Sequence, residues 1–173
     1  SLAVGVAVAR GLEQLALPTV QLKWPNDILY RGEKLGGILI EMNGDVDGAC
    51  RVVIGIGINV SMPAAAAGAI DQAWTDIRSI SAGQVPSRNR LLAALLDQLL
   101  PLLAGFEDKG FARWRDDWLA FDAFAGAEVV LHSGNTTLAG VARGVDDRGA
   151  LQLQTTMGMQ SVYGGEISLR AAS

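Results

Sequence analysis

Lys23 and Lys34 are the residues whose type and spacing point most directly to chemistry. They lie eleven residues apart on adjoining predicted strands, and Asn26 and Asp27 follow Pro25 at the corner between them. Two ammonium groups directed at one point suit a phosphate or another anion, and a carboxylate beside them could hold a magnesium ion. The spacing alone leaves open the alternative of solvated lysines in a hairpin with a polar turn and a glycine bulge.

Glycines interrupt the two strands that follow this corner. Gly36 and Gly37 open one strand, and Gly55 and Gly57 lie in an apolar strand that ends at Asn59. Because glycine weakens the interior of a strand, these positions indicate close approach of a ligand or of another backbone. The second pair lacks the third glycine and the helix of a dinucleotide-binding fingerprint, which excludes that class of site. Asn59 could hydrogen-bond a base or a phosphate, or simply end a tightly packed strand in a turn.

Periodicity and turn residues predict the elements that position these side chains. An apolar helix ends before Pro18, and three strands joined by short connections then predict an antiparallel meander. Ser87 and Gly110 bound a leucine-striped helix that Pro101 should kink, and a shorter helix follows. The predicted ranges are helix 2–15, a strand at 19–24 that continues extended at 28–30, strands 34–42 and 51–60, loop 61–81, and helices 88–109 and 111–119.

The pattern changes after Phe124. Five short strand candidates separated by Gly and Asp turns predict a small β-barrel of about fifty residues. The boundary lies near residues 122–126. The fold class is therefore α+β: a mixed or antiparallel sheet packed with helices, followed by a small barrel. The barrel strands are predicted at residues 128–132, 137–143, 150–154, 160–163 and 167–169.

Composition limits the classes of protein to consider. Half of the 173 residues are hydrophobic, 18% are charged and the net charge is −4, which excludes a disordered chain and disfavours nucleic acid as a partner. The apolar N-terminal run is too short to span a bilayer, so no membrane partner is expected. Cys50 is predicted to be a packed thiol in a reducing compartment. His132 is predicted to be an ordinary barrel residue, which disfavours a Ser/His/Asp nucleophile.

Three runs of sequence, taken in order, resemble the biotin protein ligase family: LKWPNDILYRGEKLGGILIEM, VVIGIGINV and YGGEISLR. The resemblance implies a partial catalytic domain over residues 1–123, with the class II synthetase-like fold of that family, and an SH3-like barrel over residues 124–173. It also implies a cytoplasmic enzyme that uses ATP, Mg²⁺ and biotin. Such an enzyme forms biotinyl-5′-AMP and transfers biotin to a lysine of the biotin carboxyl carrier protein of acetyl-CoA carboxylase.

The resemblance also assigns roles to individual residues. It implies that Lys34 contacts the carboxylate of biotin and the acyl phosphate, and that Lys23 contacts a phosphate; both are the catalytic candidates. Trp74 matches an aromatic residue that packs over adenine, with a half-buried anchor as the alternative. The residues that match the strand along biotin are Gly36, Gly37, Ile38 and Leu39. Those that match the nucleotide site are Asn26, Asp27, Gly55, Gly57 and Asn59, and Asp27 also matches the metal site. Glu166 and Arg170 match residues of the barrel that face the catalytic domain, with an ion pair between them as the alternative.

The chain departs from the family pattern in two respects. A GRGRRG-like loop and the early strands of the biotin pocket do not occur in it. We therefore expect a fragment with weak or no ligase activity alone, and an exposed sheet edge that favours self-association. This leaves two alternatives, a non-catalytic module that binds nucleotide or a biotinylated carrier, and a relative of the lipoate-type acyl ligases. Whether the protein forms a homodimer stays open.

Overall fold

The computed structural model describes residues 1–43, 51–63, 72–133, 136–164 and 167–171. Two residues with predicted roles, Cys50 and Glu166, lie outside the described residues. The helices are α1 (Leu2–Gln14), α2 (Ile77–Ile80), α3 (Arg88–Lys109) and α4 (Arg115–Phe121), with a 3-10 turn at Ala112–Trp114. The strands are β1 (Gln21–Lys23), β2 (Asp27–Tyr30), β3 (Glu33–Asn43), β4 (Arg51–Ile58), β5 (Glu128–Ser133), β6 (Thr136–Val145), β7 (Leu151–Thr155), β8 (Gly158–Val162) and β9 (Ile167–Ala171).

The first sheet is antiparallel, with the strand order β1-β2-β3-β4. The expectation of three strands is wrong, because the chain folds back at the cis Trp24–Pro25 peptide and makes β1 and β2 a hairpin of their own. The register aligns Lys23, Asp27, Gly37 and Gly57 in one row across all four strands. The row brings the polar corner and the strand glycines side by side.

Helix α1 lies between the first sheet and α3, and its small residues permit the close approach. A Cβ added at Gly5 would lie 3.3 Å from the side chain of Leu22 on β1, and one at Gly11 would lie 3.0 Å from the carbonyl oxygen of Ala94 on α3. Helix α3 begins at the Ser87 cap, as predicted, and runs through Pro101 to Lys109. None of the described helices is long and apolar enough to cross a lipid bilayer.

The second sheet is an antiparallel meander with the order β8-β7-β6-β5-β9, so that the last strand returns beside the first. This order is compatible with an SH3-like fold, and the α+β class predicted from the sequence is confirmed. Helix α4 makes contacts with the second sheet. There the Arg115 Nε donates a hydrogen bond to the Val145 carbonyl at 2.9 Å, and the side chain of Leu119 packs against Gly144.

The expectation of a loop over residues 61–81 is wrong in part. Residues 73–75 run alongside β3, where Trp74 forms a parallel bridge with Lys34. The short helix α2 follows, with Asp76 at its N-cap. This segment therefore borders the part of β3 that carries Lys34.

Candidate functional site

The ammonium groups of Lys23 and Lys34 converge on one carboxylate. Lys23 Nζ lies 2.9 Å from Asp27 Oδ2, and Lys34 Nζ lies 2.6 Å from Asp27 Oδ1. The three side chains, called the lysine cluster below, are between 11% and 31% exposed. Two cations and one anion leave a net charge of about +1 in a partly desolvated site, where Coulombic attraction for an anion is stronger than in bulk water.

The two lysines also keep Asp27 ionised. Burial by itself would raise the pKa of the Asp27 carboxyl, but the hydrogen bonds and charges of Lys34 and Lys23 outweigh it, and the pKa lies below its ordinary value. The carboxylate thus stays charged and holds both ammonium groups in place at neutral pH.

A β-bulge turns Lys34 toward Asp27. The pairing of β2 with β3 shifts between Ile28 and Leu29, so that Leu35 is left over and Lys34 lies opposite Leu29. Strict alternation from Gly37 along β3 would have turned the Lys34 side chain to the helix side of the sheet. Instead, a Cβ added at Gly37 would lie 3.6 Å from Lys34 Cε. The bulge thus brings the lysine to the open face of the sheet.

Beside the lysine cluster lies an open depression of about 450 Å³. Gly37, Gly55 and Gly57 form its bare centre, called the glycine floor below, because they occupy the same face of β3 and β4. Leu39, opposite Gly55, adds an exposed apolar side chain. The depression is lined by Asn26, Asp27, Lys34, Gly37, Ile38, Leu39, Gly55, Ile56 and Gly57. It offers a flat surface with cations at one end.

Gly36 and Ile38 face the other way. A Cβ at Gly36 would collide with the carbonyl oxygen of Gly57, so the close approach of β3 and β4 explains this glycine without a ligand. The side chain of Ile38 is buried, with its Cδ1 toward Gly5 of α1, and only its backbone borders the depression. Gly36 is therefore not among the residues that line the depression.

The side chains of Asn26 and Asn59 brace the site. Asn26 Nδ2 donates to the carbonyl oxygen of Ile38 at 2.9 Å, and the Ile38 amide donates back to the Asn26 carbonyl at 2.9 Å. Asn59 Nδ2 donates to the carbonyl oxygens of Lys34 at 3.3 Å and Thr75 at 3.0 Å. Both amide groups thus fix the backbone around the lysine cluster, a role that the sequence analysis did not consider.

Asp76 is a buried residue that the sequence analysis missed. Its Oδ1 accepts hydrogen bonds from the amide and hydroxyl of Ser79, and its Oδ2 accepts one from the Met62 amide at 2.7 Å. Burial would raise the pKa of this carboxyl, but these bonds and the charge of Arg78 outweigh it and lower the pKa. The signal was an Asp just before an apolar residue, which is typical of an N-cap. Asp76 anchors the segment that carries Trp74.

The described residues do not bring three acidic, histidine or cysteine side chains together as a metal site. Both oxygens of Asp27 already accept from ammonium groups, so these donors do not fit a resident magnesium ion, and no step below depends on one. Arg170 lies in β9 opposite Val130, with an exposed side chain. The structure thus places it in the second sheet, whereas the lysine cluster lies in the first.

Two family models match the sequence. Residues 2–59 match the Biotin/lipoate A/B protein ligase family, and residues 124–170 match the Biotin protein ligase C terminal domain. The first match contains the lysine cluster and the glycine floor. The second contains β5 to β8 and most of β9.

Curated relatives extend the match over nearly the whole chain. The Bifunctional ligase/repressor BirA of Escherichia coli is 37% identical over 172 residues, which are 99% of this chain and 53% of the relative. The Biotin--[acetyl-CoA-carboxylase] ligase of Paracoccus denitrificans is 34% identical over 148 residues, which are 84% of this chain and 61% of the relative. The chain thus spans a little more than half the length of these relatives.

A solved structure shares the fold. The biotin protein ligase from Aquifex aeolicus in complex with biotin and ATP superposes with a TM-score of 0.84 at 28% identity, covering 99% of this chain and 70% of that one. The motifs, the two matched models and the shared fold agree over both sheets. The chain therefore belongs to the biotin protein ligase family.

Proposed function

We propose that the whole protein is an ATP-dependent biotin protein ligase of the cytoplasm and that this chain supplies the lysine cluster and the glycine floor of its active site. Residues 1–123 would be part of the catalytic domain, and residues 124–173 an SH3-like C-terminal domain. The observation that carries the proposal is the convergence of Lys23 and Lys34 beside a flat glycine floor. Such a surface fits a ligand that lies against the backbone of β3 and β4 and carries an anionic group at one end.

The first step joins biotin to the nucleotide. A carboxylate oxygen of biotin bonds to the α-phosphorus of ATP, the bond from that phosphorus to the bridging oxygen breaks, and pyrophosphate leaves. Lys34 would hold the carboxylate and the α-phosphoryl oxygens together, and Lys23 would neutralise a phosphate oxygen. Fixed cations aimed at oxygens that gain charge lower the barrier, since they need no reorganisation during the reaction.

The second step transfers biotin to the carrier. The ε-amine of the carrier lysine bonds to the carbonyl carbon of the mixed anhydride, the bond from that carbon to the AMP oxygen breaks, and the nitrogen releases a proton. No covalent intermediate with this chain is needed. Lys34 would stabilise the oxygen that carries negative charge as the carbonyl carbon becomes tetrahedral.

Replacement of Lys34 tests the proposal. In the whole protein, Lys34→Ala should weaken binding of biotinyl-5′-AMP by about tenfold or more, because a charge-assisted hydrogen bond in a partly buried site is lost. Calorimetric titration measures the affinity, and release of pyrophosphate from ATP in the presence of biotin measures the first step. Lys109→Ala, which removes the exposed lysine that ends α3, is the matched control.

Three results would contradict the proposal. Unchanged affinity and pyrophosphate release in Lys34→Ala would remove that residue from the reaction. Tighter binding of lipoyl-5′-AMP than of biotinyl-5′-AMP would favour a lipoate-type ligase, which the broader of the two matched models also includes. Tight adenylate binding by a whole protein that releases no pyrophosphate would indicate a binding module without turnover.

A further inference from the structure

The indole of Trp24 joins the corner that carries the lysine cluster to the second sheet. Its side chain is only 2% exposed, and its Nε1–H donates a hydrogen bond to the carbonyl oxygen of Gly149 at 3.1 Å. Trp24 follows Lys23 directly and begins the turn, residues 24–26, that leads to Asp27. From this geometry we infer that Trp24 is a positioning residue, through which the second sheet fixes Lys23 and Asp27.

The residue before Lys23 is held by the segment that leads into the second sheet. The Ala123 amide donates to the carbonyl oxygen of Leu22 at 2.9 Å, and Leu22 forms a parallel bridge with Asp122. Residues 122 and 123 lead from α4 toward β5. Strand β1 is three residues long, with β2 on one edge and this contact on the other. Leu22 is therefore tied to the segment before β5, and Trp24 to the turn between β6 and β7.

The acceptor for the Trp24 indole belongs to a well-braced turn at residues 146–149. The Asp146 carboxylate accepts hydrogen bonds from the Arg148 and Ala150 amides, both at 2.9 Å, and the Gly149 amide donates to the Asp146 carbonyl at 3.0 Å. Gly149 has a φ of +82°, and a Cβ there would lie 3.0 Å from Leu2 Cδ1. The turn thus presents the Gly149 carbonyl from a fixed position.

This arrangement couples the second sheet to the lysine cluster over a short path. A buried indole N–H that loses its acceptor is unfavourable, so Trp24 stays with the turn. If the turn moves, the backbone on both sides of Trp24 moves with it, and Lys23 leaves its position 2.9 Å from Asp27. A small displacement of a group that orients a substrate is enough to weaken binding or slow a reaction.

Replacement of Trp24 in the whole protein tests the inference. The expected effect on adenylate binding rests on the proposed function. Trp24→Phe keeps a buried ring and removes the donor. It should raise the dissociation constant of biotinyl-5′-AMP by about threefold to tenfold, the range of one hydrogen bond. In NMR spectra, the amide signals of Lys23 and Asp27 should shift. Asp146→Ala, which loosens the turn without touching Trp24, should reproduce both effects, and the two changes together should be less than additive.

Arg143→Ala is the matched control, because it removes the 2.9 Å hydrogen bond from Arg143 Nε to Gln154 Oε1, a contact within the second sheet that does not involve the turn at residues 146–149. It should leave the amide signals of Lys23 and Asp27 in place. The inference is overturned if Arg143→Ala shifts them as much as Trp24→Phe does, or if neither Trp24→Phe nor Asp146→Ala shifts them. Should Trp24→Phe fail to fold, Asp146→Ala decides alone. Absence of adenylate binding in the unmodified protein would contradict the proposed function, while the NMR comparison would still test the role of Trp24.

Discussion

The glycines of β3 and β4 meet two different requirements. Gly36 has no space for a side chain, since a Cβ would collide with the backbone of Gly57. A Cβ on Gly57 would find only the Gly37 carbonyl oxygen, at 3.9 Å, and one on Gly55 would lie 3.5 Å from the Leu39 carbonyl oxygen. The fold therefore requires glycine at position 36 but not at positions 55 and 57, where the absent side chain keeps the floor beside Lys34 open.

Alanine at each position separates the two requirements. Gly57→Ala should change the free energy of unfolding by less than about 1 kcal/mol, because its Cβ meets only ordinary contacts. It should weaken binding of biotinyl-5′-AMP at least about tenfold, because the methyl group projects onto the floor. Gly36→Ala should lower the melting temperature markedly. Thermal unfolding and calorimetry on the same samples measure both. A Gly57→Ala variant that binds the adenylate normally would show that no ligand lies on the floor.

At the level of elements, local signals predicted the helices and strands whose ends are marked in the sequence. Helix α3 begins after Ser87 and ends before Gly110, as its N-cap residue and its glycine predicted, and Gly110 has a φ of +56°. The strands of the second sheet also lie where the alternation and Gly/Asp turns predicted them. In these elements the residues that decide the structure are neighbours in sequence.

Contacts between distant segments determine the features of the fold that the sequence did not predict. Residues 73–75 extend because they pair with Lys34, about forty positions away, and no local pattern signals that pairing. The bulge at Leu35, which turns Lys34 toward Asp27, depends on the register between β2 and β3. The sequence therefore identified both lysines, while their convergence on a single carboxylate required the structure.

Strand β4 leads to a prediction about association in solution. It pairs with β3 on one side, and among the described residues no strand covers its other edge. Val53 on this strand is 56% exposed and lies opposite Glu41. We expect the 173-residue chain to self-associate through this edge, and Val53→Lys to reduce association, because an edge lysine discourages strand pairing while matching Glu41 across the sheet.

Sedimentation velocity over a range of protein concentrations measures this association. Met157→Lys, at a residue 88% exposed beside the second sheet, is the control for added positive charge and lost apolar surface. An unmodified chain that stays monomeric at every concentration, or a Met157→Lys variant that dissociates as completely as Val53→Lys, would contradict the role of the β4 edge.

At the level of the whole molecule, the segment between α4 and the second sheet carries a carboxylate that is incompletely paired. Asp122 bridges to Leu22 of the first sheet, and its Oδ1 accepts a hydrogen bond from the Phe124 amide at 3.0 Å. Its Oδ2 is buried and has no hydrogen-bond partner among the residues that the structure describes. Burial raises the pKa of this carboxyl above its ordinary value of 3.8, and the Phe124 bond offsets only part of that effect.

The sign of the resulting pH dependence follows from the raised pKa. Well below pH 3.8 the carboxyl is protonated in both the folded and the unfolded chain, and it carries no penalty. The penalty grows as the pH rises past that value and is complete above the raised pKa of the folded state. Asp122→Asn should therefore raise the free energy of unfolding at pH 7 by up to about 1 kcal/mol. This is the low end of the range for a buried unpaired group, because solvent screens part of the charge. The gain in stability should vanish near pH 3. Urea unfolding between pH 3 and pH 8 measures it, with the exposed Asp108→Asn as the control for a lost negative charge. If Asp122→Asn raised the free energy of unfolding equally at pH 3 and pH 8, ionisation of this carboxyl would not destabilise the fold. Another contact of Asp122 would then explain the gain.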